Sequence, residues 1–122
     1  MFENFKPSIL IIDDNRSILK SFSKIFQKCG YRVSVAETGS EAIQRISENH
    51  FDVALIDFRL PDMEGTELVP LINKAYCRTL KVMLSAECLQ KVEGVDLLIG
   101  KPVDPIKLLS VIDSKLRYMT IE

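Results

Sequence analysis

The sequence predicts an α/β fold, a three-layer α/β/α sandwich around a five-stranded parallel sheet, with its fourth helix short or missing. Three observations predict it. Short apolar runs rich in β-branched residues recur at residues 9–12, 53–56, 80–84 and 95–99, as expected of strands covered on both faces. Segments of helical period lie between those runs, and strands that alternate with helices pair in parallel through right-handed crossovers. The 122 residues suit one compact domain and leave little room for a second.

The first run, Ile9-Leu-Ile-Ile12, is followed by Ile18, Leu19, Phe22, Ile25 and Phe26 on one helical stripe, which Gly30 is placed to stop. Val33 and Val35 alternate with polar neighbours, the pattern of a strand nearer an edge. Thr38 and Glu41 have capping-box spacing ahead of Ala42, Ile43 and Ile46. After the run at 53–56, Leu68, Leu71, Ile72 and Ala75 make a third stripe, in which Pro70 removes one backbone donor and delays or kinks the helix. Only residues 85–94 separate the fourth and fifth strands, near the lower limit for a parallel crossover. At most a two-turn helix over 87–93 fits there, with Leu89 and Val92 inward and Gly94 as its stop. Asp104 then caps a last helix with Pro105 at its first position and Ile106, Leu109, Ile112 and Leu116 inward. The single domain is expected to span 1–122, with its core over about residues 8–117.

Composition excludes several classes. Hydrophobic residues at 47% and charged residues at 27% argue against disorder. A net charge of −1 with scattered Lys and Arg argues against direct nucleic-acid binding. Residues 1–15 hold no signal peptide or membrane span, because their apolar run is far too short. Cys29, Cys77 and Cys88 are an odd count without metal-type spacing, so free thiols in a reducing, cytoplasmic setting are expected. His50, between the second helix and third strand, reads as a surface loop residue without a catalytic part, and Met63 and Met83 as core or rim fillers.

The chemistry concentrates at strand ends. Asp13 and Asp14 follow the first strand, and Asp57 follows the third. If those strands are neighbours, as in the order 2-1-3-4-5, three carboxylates meet at one sheet edge. Like charges gathered there are unfavourable unless a cation joins them, and a hard, oxygen-seeking ion such as Mg²⁺ suits such donors. Ser85 follows the fourth strand and Lys101 the fifth. A hydroxyl and an ammonium opposite a carboxylate and a metal can hold the oxygens of a phosphoryl group, with the carboxylate as nucleophile. Taken singly, each Asp is an ordinary turn residue and Lys101 an ordinary surface lysine. Turn preference does not explain the whole set at successive strand ends.

On Ile-Ile-Asp13-Asp14-Asn15, Asp57-Phe-Arg-Leu-Pro61-Asp62-Met-Glu-Gly65, Met-Leu-Ser85-Ala86 and Lys101-Pro102, the sequence resembles the receiver domain of two-component response regulators across nearly its whole length. The resemblance implies the CheY-like, flavodoxin-like strand order 2-1-3-4-5. It implies that Asp57 is the phosphoacceptor, supplied by a phosphohistidine on a histidine kinase or histidine phosphotransfer protein. Asp14 and Asp57 would ligate Mg²⁺ directly, Asp13 through water, and the Arg59 backbone carbonyl would complete the protein ligands. Ser85 would be the switch hydroxyl, Lys101 would pair with the phosphoryl group, and the Lys101–Pro102 bond would often be cis. The chain would catalyse its own Mg²⁺-dependent phosphorylation and dephosphorylation without being a conventional enzyme. Arg59 and Glu87, two residues after Asp57 and Ser85, would tune the phosphoryl lifetime or merely decorate the surface.

The pattern departs from the family in three places, one of them Pro70 inside the third helical stripe. Leu98 stands where members commonly carry Tyr or Phe, so the aromatic half of the switch is missing. The short fourth crossover alters a face that usually serves docking and dimerisation, leaving the oligomeric state open. A receiver-like module that binds partners without phosphorylation is the alternative function. A haloacid dehalogenase-type phosphatase would need Asp-x-Asp after the first strand and a cap domain, and an FMN binder would need a hydroxyl- and glycine-rich loop there. Neither fits Asp13-Asp14-Asn15. A stand-alone receiver and a piece of a larger protein are both compatible with the sequence.

Overall fold

The computed structural model describes residues 6–76, 78–87 and 90–121. Five strands form one parallel sheet: β1 (Ser8–Ile12), β2 (Arg32–Ala36), β3 (Val53–Asp57), β4 (Leu80–Ser85) and β5 (Leu97–Gly100), in the order β2-β1-β3-β4-β5. Four helices accompany them among the described residues: α1 (Arg16–Lys28), α2 (Gly39–Glu48), α3 (Val69–Ala75) and α4 (Pro105–Ile121). The three-layer sandwich and its strand order are therefore as the sequence predicts.

Alternation along the strands divides the core. Ile9, Ile11, Val53, Leu55, Val82 and Leu84 pack against Leu19, Phe22 and Phe26 of α1 and Leu108, Ile112 and Leu116 of α4. Leu10, Ile12, Ala54, Ile56 and Met83 face Ala42 and Ile46 of α2 and Val69 and Ile72 of α3. This two-sided burial explains why the central strands read as unbroken apolar runs, while edge strand β2 stays partly exposed. Asn15 starts α1 by accepting the Ser17 and Ile18 N–H groups, and Gly30 ends it at φ +91°.

Several details differ from the sequence reading. Pro70 delays the third helix: a 3₁₀ turn (Gly65–Leu68) precedes α3, and Pro70 lies at its start, where its missing donor is tolerated. The inward residues are Leu68, Val69 and Ile72, whereas Leu71 is 40% exposed and Ala75 is exposed. In α4, Leu108 takes the fully buried place, and Ile106 in the first turn lies 66% exposed. Ile43 of α2 also faces out. β5 begins at Leu97, two residues later than the apolar run suggests.

The β4–β5 crossover contains no helix among its described residues, and Leu89 falls outside them. Val92 and Val95 still pack on the core, and Gly94 adopts φ +83° beside Val69. Asp96 anchors the crossover, its carboxylate accepting the Lys81 N–H at 2.8 Å and its own N–H donating to the Lys81 carbonyl at 2.9 Å. The buried Lys81 ammonium donates to the Thr79 carbonyl at 2.8 Å and lies 3.5 Å from Asp96. His50 lies at the surface and stacks on Tyr76, with ring centroids 4.8 Å apart. Cys29 is an exposed free thiol, while Cys77 and Cys88 lie outside the described residues.

Candidate phosphoryl-transfer site

Parallel register sets the site. Ile12 pairs with Ile56, Asp57 with Leu84 and Ser85 with Gly100, so β1, β3, β4 and β5 all end along one edge. Asp13 continues from β1, its N–H donating to the Ala36 carbonyl at 3.0 Å, and its side chain is buried. One Asp13 oxygen accepts the Asn15 N–H at 2.9 Å, and the other accepts from the Lys101 ammonium at 3.1 Å. The same ammonium lies 3.0 Å from Asp57 Oδ1. Asp14 is exposed, and ligand oxygens of Asp13, Asp14 and Asp57 all lie within 4.8 Å of one another.

Three carboxylates thus face one ammonium, and net negative charge remains. Burial pushes the Asp57 carboxyl above the usual 3.8, aided by the charges of Asp13 and Asp14 and opposed by the Lys101 hydrogen bond. Burial alone would lower Lys101, but its bond to Asp57 and the two carboxylate charges hold it above its usual 10.5. An all-oxygen donor set with unbalanced negative charge fits a hard divalent cation.

Ser85 is buried at the end of β4, where its carbonyl accepts the Lys101 N–H at 2.8 Å. Its hydroxyl lies in its own loop, accepting the Glu87 N–H at 3.0 Å and reaching the Glu87 carbonyl at 3.3 Å. The Lys101–Pro102 bond is cis. Asp57, Phe58, Arg59, Ser85, Ala86, Glu87 and Lys101 line a cavity of about 200 Å³. Arg59 and Glu87 form an ion pair across it, joining the loops after β3 and β4, and the guanidinium lies 5.4 Å from the Phe58 ring centre. A larger apolar groove of about 430 Å³ runs between α1 and Pro102–Pro105, and among the described residues Lys101 is the only charged group in its lining. The carboxylate, hydroxyl and ammonium therefore gather at the smaller cavity.

Two features were not read from the sequence. Asp62, in the loop after β3, accepts the Gly39 N–H at 2.8 Å and the Ser40 N–H and hydroxyl at 3.0 Å each. Met63 fills the space that a side chain at Gly39 would occupy. An Asp beyond a proline and a glycine opening a helix were the only signals, and neither names the other as its partner.

With this geometry in place, the comparisons with known proteins define the class. The response regulator receiver domain family matches the chain over residues 9–113, and the chain belongs to that family. It is a receiver domain of two-component response regulators. A receiver domain protein (CheY-like) from Methanospirillum hungatei JF-1 is 36% identical with a TM-score of 0.89, covering 95% of this chain and 98% of that one. The BeF3-activated receiver domain of DrrB, a protein of Thermotoga maritima, is 28% identical with a TM-score of 0.81, covering 93% of this chain and 99% of that one. Regulatory protein VanRc of Enterococcus gallinarum is 28% identical over 114 residues, 89% of this chain and 49% of that protein. The chain spans about half the length of several curated relatives that it matches. No helix among the described residues is long and apolar enough to cross a membrane.

Proposed function

We propose that Asp57 accepts a phosphoryl group from a phosphohistidine and that the loops after β3 and β4 relay the event. One observation carries this reading: Lys101 is paired with both Asp13 and Asp57 beside Asp14, and lines one cavity together with Asp57 and Ser85. The donor is a histidine kinase or a histidine phosphotransfer protein. The bond between phosphorus and the imidazole nitrogen breaks, a bond from phosphorus to an Asp57 oxygen forms, and the freed imidazole nitrogen takes up a proton.

Asp14 and Asp57 would hold Mg²⁺ directly, Asp13 would do so through water, and the Arg59 backbone carbonyl would complete the protein ligands. Bound there, the ion supplies positive charge opposite the phosphoryl oxygens. Lys101 neutralises further charge on the new group. Ser85 donates its hydroxyl to a phosphoryl oxygen, which requires it to leave its present bonds with Glu87. Glu87 is drawn into the change through its ion pair with Arg59. Leu98 takes the place of an aromatic switch residue, so the response runs through these loops. The receiver unit has its core over about residues 8–117, and the exposed Cys29 thiol suits a reducing cytoplasm.

Intact mass after incubation with acetyl phosphate tests the assignment. The expected result is a Mg²⁺-dependent gain of one phosphoryl group that is lost with chelator and in Asp57→Asn. Undiminished incorporation in Asp57→Asn would place the acceptor elsewhere. No incorporation and no Mg²⁺ binding by the parent chain would favour a module that acts without phosphorylation.

A further inference from the structure

The loop that leaves Asp57 is held at both ends and at its tip. At its base, the Phe58 N–H donates to the Leu84 carbonyl at 2.9 Å, and the Gly65 N–H returns to the Phe58 carbonyl at 2.6 Å. Gly65 packs so closely on the Asp57 carbonyl that a side chain there would collide with backbone. Midway, Arg59 bridges Glu64, and the Leu60 N–H donates to the Met63 carbonyl at 3.0 Å.

The tip is held from outside the loop. Both carboxylate oxygens of Asp62 accept from the first turn of α2, at Gly39 and Ser40, 23 and 22 residues away in sequence. Those N–H groups have no partner within their own helix, and a carboxylate there also complements the helix dipole. These bonds hold the Asp62 carboxyl below its usual 3.8, Gly39 first and Ser40 next, so the anchor is charged at neutral pH. Met63 lies in the gap left by Gly39, fixing the next residue of the tip to the same turn.

We propose that Asp62 is a positioning residue for metal binding: by tying the loop tip to α2, it holds the Arg59 segment at the depth the site needs. The inference rests on the reading of Arg59 as the residue that offers its carbonyl to Mg²⁺. It makes the first turn of α2 part of the site's support, although no α2 residue lines the cavity. Thr38 provides the internal control. It caps the same helix by accepting the Glu41 N–H at 3.1 Å, a bond made within the α2 segment.

Calorimetric Mg²⁺ titration of the parent chain, Asp62→Ala, Asp62→Asn and Thr38→Ala separates a positioning role from a structural one. Asp62→Ala is expected to bind Mg²⁺ about tenfold more weakly, the lower end of what outer supports of metal ligands usually contribute. Asp62→Asn keeps one acceptor oxygen and should fall between Asp62→Ala and the parent chain, which keeps the inference testable if Asp62→Ala does not fold. Thr38→Ala should melt at lower temperature yet keep the parent affinity. Parent-like affinity in folded Asp62 variants, or an equal loss in Thr38→Ala, would overturn the positioning role alone. A parent chain that takes no Mg²⁺ would overturn the functional reading and this inference with it.

Discussion

Asp57 is 8% exposed at the carboxyl end of β3, where the Lys101 ammonium at 3.0 Å offsets only part of the cost of its charge. Its carboxyl is raised above 3.8 by burial first, so the folded chain holds that proton more tightly than the unfolded chain does. Stability from this group is therefore full below 3.8 and is lost as pH rises through the raised folded value. Asp57→Asn removes that loss. In chelator, the variant should melt close to the parent below the carboxylate range and increasingly above it as pH approaches neutrality. Thermal melts across that range are the check. A variant less stable than its parent at neutral pH would mean that the pair with Lys101 outweighs burial. The residues of this site were legible because strand ends announce themselves: an apolar run stops and Asp13, Asp57, Ser85 or Lys101 follows at once or within a residue. The Asp62 anchor was not legible. It joins residues 22 and 23 positions apart through backbone N–H groups, and no side-chain pattern records such a partner.

Among the elements, the β4–β5 connection crosses over with no helix among its described residues. Asp96 restores the backbone bonding, Val92 and Val95 supply apolar cover, and Gly94 turns the chain against α3. Gly30 and Gly94 share a left-handed φ but differ in surroundings. A methyl group at Gly30 meets nothing within 4 Å, whereas one at Gly94 would lie 2.7 Å from Val69 Cγ1. Gly30→Ala should therefore cost about 1 kcal/mol from conformation alone. Gly94→Ala adds crowding of α3 and should cost about 2 kcal/mol or more. Urea unfolding of the two variants compares them directly, and equal losses would mean that the crossover yields freely. The same contrast explains which parts of the helices could be read. α1 has 13 residues and a stripe long enough to fix its inner face, which the structure keeps. α3 has only 7, so the packing of Leu68 and Val69 against the sheet decides its phase over the reading that put Leu71 inside. At the start of α4, Ile106 lies exposed in the first turn, and the inner stripe starts only at Leu108.

At the scale of the whole molecule, one sheet edge concentrates the unfavourable electrostatics. Both cores are apolar, while Asp13, Asp14 and Asp57 converge with Lys101 as the one ammonium paired to them among the described residues. A cation bound at that edge by the folded chain alone should stabilise the entire domain, because the donor oxygens come from segments far apart in sequence. The gain grows with the logarithm of free Mg²⁺ and reaches about 2.7 kcal/mol at a hundredfold excess over Kd. The melting temperature should accordingly climb with Mg²⁺ and return to its starting value on chelation. Potassium chloride at matched ionic strength should produce only a small change, since screening acts mainly on exposed charges. Asp14→Asn is the informative variant, because Asp14 is exposed and its replacement leaves the core untouched. Its melting temperature should respond to Mg²⁺ only at higher concentrations than the parent requires. A response identical to the parent's would place the stabilising ion away from this edge, and the three converging carboxylates would then need another counter-charge.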